Sequence, residues 1–186
     1  MFTFSLGSDA VLLPRTPEIA DAYQELLAAN IDRLTQWLPG LDGLPSLAET
    51  RADLARRAQA WLDGAQLPLA IAVPAEDGWR LVGEVNLLID KHIRAAEIGY
   101  WLDAGCTGRG LVTRAVTATL DRAFGPLGLR RIKLFALAGN VPSIAVAERL
   151  GFTREGVFRA AAVVAGVEHD VVGYGLLDRD WLSAGR

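Results

Sequence analysis

The apolar residues of this chain keep a helical period up to Leu67-Pro68 and change it there, and that change limits the folds open to it. Before it, Ile19, Tyr23, Leu26, Leu27, Leu34 and Trp37 recur at helical spacing, as a helix needs if one face is to meet a core. Thr16-Pro17-Glu18 supplies the start signal: a cap residue, a proline at the first helical position and an acid near the positive helix end. Pro39-Gly40 ends the run. Ser46 and Glu49 form a capping-box pair, and Leu47, Leu54, Ala58, Trp61 and Leu62 continue a second helix.

Beyond Pro68 the segments shorten. Residues 69–73, 79–90 and 95–102 predict strands, the first two joined by the turn Ala75-Glu76-Asp77-Gly78. Residues 111–124 predict a helix that buries Leu111, Val112, Ala115, Val116, Leu120 and Phe124 and stops at Gly125-Pro126. A strand over 131–137, a short helix over 142–150 with Gly151 just past it, and closing strands over 152–159 and 168–177 complete the order. The fold class is therefore α/β with a mixed sheet and helices on its faces, not a doubly wound fold of strict alternation.

A chain of 186 residues, 51% hydrophobic and 22% charged, is read as one domain over 1–186 with a core of its own. The net charge of −3 argues against general nucleic-acid binding, which needs a basic excess. No apolar run approaches the roughly 20 residues that span a bilayer, and MFTFSLGSDAVLL lacks a positive n-region and a cleavage site. The expectation is a soluble, cytoplasmic protein with no membrane partner. Cys106 stands alone, and His92 and His169 give no metal-ligand spacing.

The stretch YWLDAGCTGRGLVTRAV, residues 100–116, puts a glycine-rich turn between a strand and a helix. Such a turn aims backbone N–H groups into one small space, and the helix start adds about half a positive charge. Two phosphate-binding patterns fail on it. Gly105 and Gly110 begin a P-loop, but Leu111-Val112 replace its lysine and hydroxyl. Gly108 and Gly110 begin a dinucleotide fingerprint, but Thr113 stands at its third glycine.

The third pattern fits. The loop resembles the R/Q-x-x-G-x-G/A segment of the GNAT N-acyltransferases, with Thr107 at its first position and Val112 at its last. AEIGYWLDAGCTGRGLVTRAVTATLDRAF (96–124) resembles the family's strand–loop–helix, and LAGNVPSIAVAERLGFTREGVFR (137–159) resembles its Asn-x-x-Ser helix and Gly-Phe strand. Asn30, Arg33, Leu34 and Trp37-Leu38-Pro39 resemble the first helix of the RimJ/RimL type, which acetylates protein N-termini, notably of ribosomal proteins.

The resemblance implies the GNAT fold, a mostly antiparallel sheet splayed at the cofactor site. It also implies acetyl-CoA as co-substrate, no metal, and transfer to an amine, in first place the α-amine of a ribosomal protein. A small-molecule acetyltransferase and a non-catalytic acyl-CoA-binding module are the alternatives, and the resemblance is compatible with a homodimer. It places cofactor contacts at Tyr100, Trp101, Leu102, Thr107, Gly108, Arg109, Gly110, Leu111, Val112, Thr113, Asn140 and Ser143. Ser143 becomes the proton donor to the leaving thiolate, and Arg33 and Trp37 face the acceptor. The glutamate of RimL-type enzymes is matched by Ala162, and the glutamate and tyrosine of the RimI type by Phe135 and Ala147. Glu97, at the catalytic glutamate position of the histone-acetylating branch, is the first choice of base and Glu84 the second.

Overall fold

The computed structural model describes residues 3–76 and 78–183; Asp77 of the predicted turn lies outside the described residues. Strands β1 (Phe4–Ser5), β2 (Val11–Pro14), β3 (Gln66–Ala75), β4 (Gly78–Asp90), β5 (Ala95–Leu102), β6 (Arg131–Leu137), β7 (Thr153–Val164) and β8 (Val167–Leu177) form one sheet in the order β1-β2-β3-β4-β5-β6-β8-β7. Helices α1 (Ala20–Leu34), α2 (Leu47–Leu62), α3 (Leu111–Phe124), α4 (Val141–Arg149) and α5 (Asp178–Ser183) cover it.

The central helices and strands match the sequence reading, and four features depart from it. Strands β1 and β2 were not expected; Val11–Pro14 is too short to alternate and is buried at every position. The last six-residue helix, α5, was also missed. The first helix ends at Leu34, not at Pro39: Thr35, Trp37 and Leu38 continue as hydrogen-bonded turns. Strands β3 and β7 run past the predicted limits, to Ala75 and Val164. The capping box at Ser46 is present, with Glu49 N–H donating to Ser46 Oγ (3.3 Å) and Ser46 N–H to Glu49 Oε2 (2.8 Å).

Two apolar clusters lie on opposite faces of the sheet. On one face Tyr23, Leu26, Leu27 and Leu54 of α1 and α2 meet Leu13, Ala70, Ala72, Leu81 and Trp101. On the other, Leu111, Ala115, Val116 and Leu120 of α3 meet Leu69, Ile71, Val85, Leu87 and Ile98. Leu54, Val85, Leu87 and Leu120 have no measurable exposure, so each contributes roughly 1.5–3 kcal/mol of burial.

All neighbouring strands are antiparallel except β5 and β6. Those two pair in parallel only at Ala95↔Arg131, Ala96↔Ile132 and Glu97↔Lys133. β5 continues to Leu102 and β6 to Leu137, so past Glu97 the two strands part and residues 98–102 have no strand on that side. This is the splay the fold class requires.

Candidate active site

The gap between β5 and β6 opens at the C-terminal ends of both strands. The glycine-rich loop closes one side of it. Asp103 Oδ1 accepts from Gly105 N–H (3.0 Å), starting a 3-10 turn over Ala104–Cys106, and Thr107 Oγ1 donates to the Ala104 carbonyl (3.0 Å). Gly108 and Gly110 then take φ of +77° and +71°, a left-handed conformation that side chains resist. Gly110 caps α3, with no side-chain cap and no acid in the first turn. Among the described residues, none of the N–H groups of 108–113 has a protein partner. A Cβ at Gly108 or Gly110 would meet no heavy atom within 4 Å. Unpaired N–H groups at a helix start with open space beside them fit an oxyanion such as a pyrophosphate.

The side chains of the loop have other duties. Leu111 is 1% exposed in the core, and Cys106 is buried with Sγ 3.6 Å from Arg80 Nη2. Arg109 lies 3.8 Å from Asp9, whose carboxylate is gripped by Arg114 at 2.6 and 3.1 Å. Arg149, at the end of α4, donates to Thr113 Oγ1 (3.2 Å) and brings a second exposed guanidinium to the cradle. The sequence reading missed it, because Arg149 and Thr113 are 36 residues apart.

Tyr100 and Ser143 meet across the gap. The Tyr100 hydroxyl lies 3.1 Å from the Ser143 carbonyl oxygen and 3.2 Å from Ser143 Oγ. Burial pushes the Tyr100 phenol up to about 12, against the opposing pull of the Ser143 hydroxyl, so it stays protonated and able to donate at neutral pH. Asn140 is the cap of α4: its Oδ1 accepts from Ser143 N–H (3.2 Å). Its side chain is thus committed to fixing Ser143.

On the α1/α2 face lies a cavity of about 420 Å³, lined by Leu38, Asp53, Glu84, Asn86, Gly99 and Trp101, among others, with Tyr100 at its edge. Glu84, opposite Trp101 in the β4–β5 register, is held by Arg15 and Tyr23. Burial and the Glu84 charge push the Tyr23 hydroxyl far above an ordinary phenol, and Tyr23 and Arg15 both donate to the Glu84 carboxylate.

Two of the expected site residues lie outside this cavity. Glu97 sits where β5 and β6 are still paired, beside Lys133, and lines a separate cleft of about 260 Å³. It does not line the cavity that Glu84 and Tyr100 share, because those residues lie further along the strands. Arg33 does not line that cavity either: its guanidinium donates to the Leu102 carbonyl and to Asn30 Oδ1 (3.3 Å), tying α1 to the end of β5. Trp37 does approach the gap, its Cζ3 lying 3.9 Å from the position a Cβ would take on Gly139.

Residues 11–153 match the family described as the Acetyltransferase (GNAT) domain. The chain belongs to the GNAT acetyltransferase family. This acetyltransferase is 36% identical over 186 residues to the Bacillus subtilis protein named "Putative ribosomal N-acetyltransferase YdaF", covering 97% of this chain and 98% of that one. Its fold also matches a Salmonella typhimurium acetyltransferase described as modifying the N-terminal serine of ribosomal protein L7/L12, with a TM-score of 0.82, 26% identity and coverage of 95% and 99%. Mycobacterium smegmatis RimJ in complex with CoA-disulfide superposes with a TM-score of 0.82 at 25% identity, over 99% of this chain and 93% of that one. Among the described residues, no group of three or more His, Cys, Asp or Glu side chains is placed to hold a metal ion, and no helix is long and apolar enough to cross a membrane.

Proposed function

We propose that this acetyltransferase uses acetyl-CoA to acetylate the α-amine of a protein, with a ribosomal protein as the first candidate. The observation that carries the reading is the convergence at one gap of the unpaired N–H groups of 108–113, the bare edge of β5 past Glu97 and the Tyr100–Ser143 hydroxyl pair. Acetyl-CoA supplies an acetyl group activated as a thioester. The N–H groups of 108–113, with Arg149 beside them, hold the pyrophosphate, and a backbone N–H of 99–102 polarises the thioester carbonyl.

The amine nitrogen bonds to the acetyl carbon, the carbon–sulfur bond breaks, and the proton for sulfur comes from Ser143, relayed from Tyr100. The proton lost by the amine passes to solvent in the open cavity. An α-amine has a pKa of about 8, so a substantial part is neutral near pH 7.5 and no strong base is needed. A lysine amine near 10.4 lacks that advantage.

Acetyl transfer from acetyl-CoA to a serine-initiated peptide, followed as release of free thiol, tests the assignment. A thiol is a fair leaving group, with a pKa of about 8.5, so the donor contributes modestly. Ser143→Ala and Tyr100→Phe are each expected to lower kcat about tenfold, and the double variant more. Wild-type kcat in both single variants contradicts the role. Glu97→Gln is expected to leave kcat/KM within about twofold; a loss of about a hundredfold would return the base to Glu97.

A further inference from the structure

The floor of the cavity holds an unexplained group. Asn86 is 8% exposed and lies in the otherwise apolar run Val85-Asn86-Leu87-Leu88-Ile89. Its Oδ1 is buried without a partner, and no side-chain hydrogen bond is made by Asn86 among the described residues. Gln66 Oε1 is the same: buried, unpartnered and lining the same cavity. Pro68 pairs with Asn86 and Gln66 with Leu88, so both amides project from one face of the sheet. Asn86 also stands opposite Gly99, where β5 has left β6. Burying an amide with nothing to bond it is costly, and such groups call for a partner.

We propose, on the strength of the amine-acetylation reading above, that Asn86 binds the acceptor: its side-chain oxygen accepts a hydrogen bond from the incoming α-amine and holds that nitrogen opposite Gly99. Gln66 receives the next N–H of the acceptor chain. Both orphan atoms are oxygens, and a turn of each amide about its last bond presents that oxygen to the cavity, so the ligand they suit brings donors. A carbonyl oxygen takes an N–H of the amine and leaves the nitrogen lone pair free to attack. A hydrogen-bond donor at the same place would occupy that lone pair. The flanking charges, Asp53 and Glu84 against Arg56 and Arg57, balance one another, which leaves recognition of the nitrogen to the amides.

The test uses Asn86→Leu and Asn86→Asp in the full chain, with a serine-initiated peptide as acceptor. Asn86→Leu is expected to raise acceptor KM about tenfold, keep the acetyl-CoA Kd within twofold and leave Tm unchanged or higher, since it removes a buried orphan. Asn86→Asp keeps an acceptor oxygen in either protonation state and is expected to hold KM within about threefold. A lower Tm in Asn86→Leu would make the amide structural and overturn the proposal. Unchanged acceptor KM in that variant, or an equal loss in both, overturns it as well. Wild-type protein that binds acetyl-CoA but acetylates no α-amine would overturn the proposed function and this inference with it. Wild-type turnover with the other contrary results overturns the inference alone.

Discussion

Gly110→Val is expected to weaken acetyl-CoA binding about a hundredfold, measured by titration calorimetry. Two effects combine. Gly110 holds φ at +71°, where an L side chain costs roughly 1–2 kcal/mol and a β-branched one no less. The added Cβ also enters the open space beside the unpaired N–H groups of 108–113, where it hinders close approach of a phosphate. A hundredfold corresponds to about 2.7 kcal/mol. Gly166→Val separates the two effects: Gly166 has φ of +76° and open space around it, but lies in the turn between β7 and β8. That variant is expected to bind acetyl-CoA like the wild type. A Kd in Gly110→Val within threefold of wild type would show that the loop is a turn and not a cradle.

Arg15→Met is expected to destabilise the fold by about 3 kcal/mol or more, because it removes one partner of a largely buried ion pair. Arg15 is 1% exposed and the Glu84 side chain 16%. Arg15 donates to both Glu84 and Tyr23 and lies over the Tyr23 ring at 5.5 Å, so the substitution frees two acceptors at once. For a chain of this length the loss corresponds to a Tm lower by on the order of 10 °C. Adding Glu84→Leu is expected to return most of that stability, since an apolar pair in place of a buried ion pair is often neutral or better. A Tm for Arg15→Met within 2 °C or so of wild type would mean that Glu84 is solvated from the cavity and needs no partner.

Much of this molecule is legible in its sequence. The change of period at Pro68 and the capping box at Ser46 each rest on neighbours a few residues apart, and each is present. The glycine loop was legible for the same reason, since its geometry is set by φ at Gly108 and Gly110. What escaped depends on contacts far apart along the chain. Glu97 looked like a base from its place on the strand before the loop, but the point where β5 leaves β6 decides which side chains share the gap, and that point lies past Glu97. Arg33 looked free to receive an acceptor; the Leu102 carbonyl, 69 residues away, claims it. Tyr100 stood among the implied cofactor contacts, and its hydroxyl gains meaning only through Ser143, 43 residues on.

The central claim is tested most directly by incubating the wild-type protein with acetyl-CoA and a serine-initiated peptide that also carries one internal lysine, then locating the acetyl group by fragment mass spectrometry. The proposed function predicts acetylation at the α-amine, in step with the release of free thiol, and none on a copy of the peptide whose α-amine is blocked. Acetylation confined to the lysine, or tight acetyl-CoA binding with no thiol released, would contradict it.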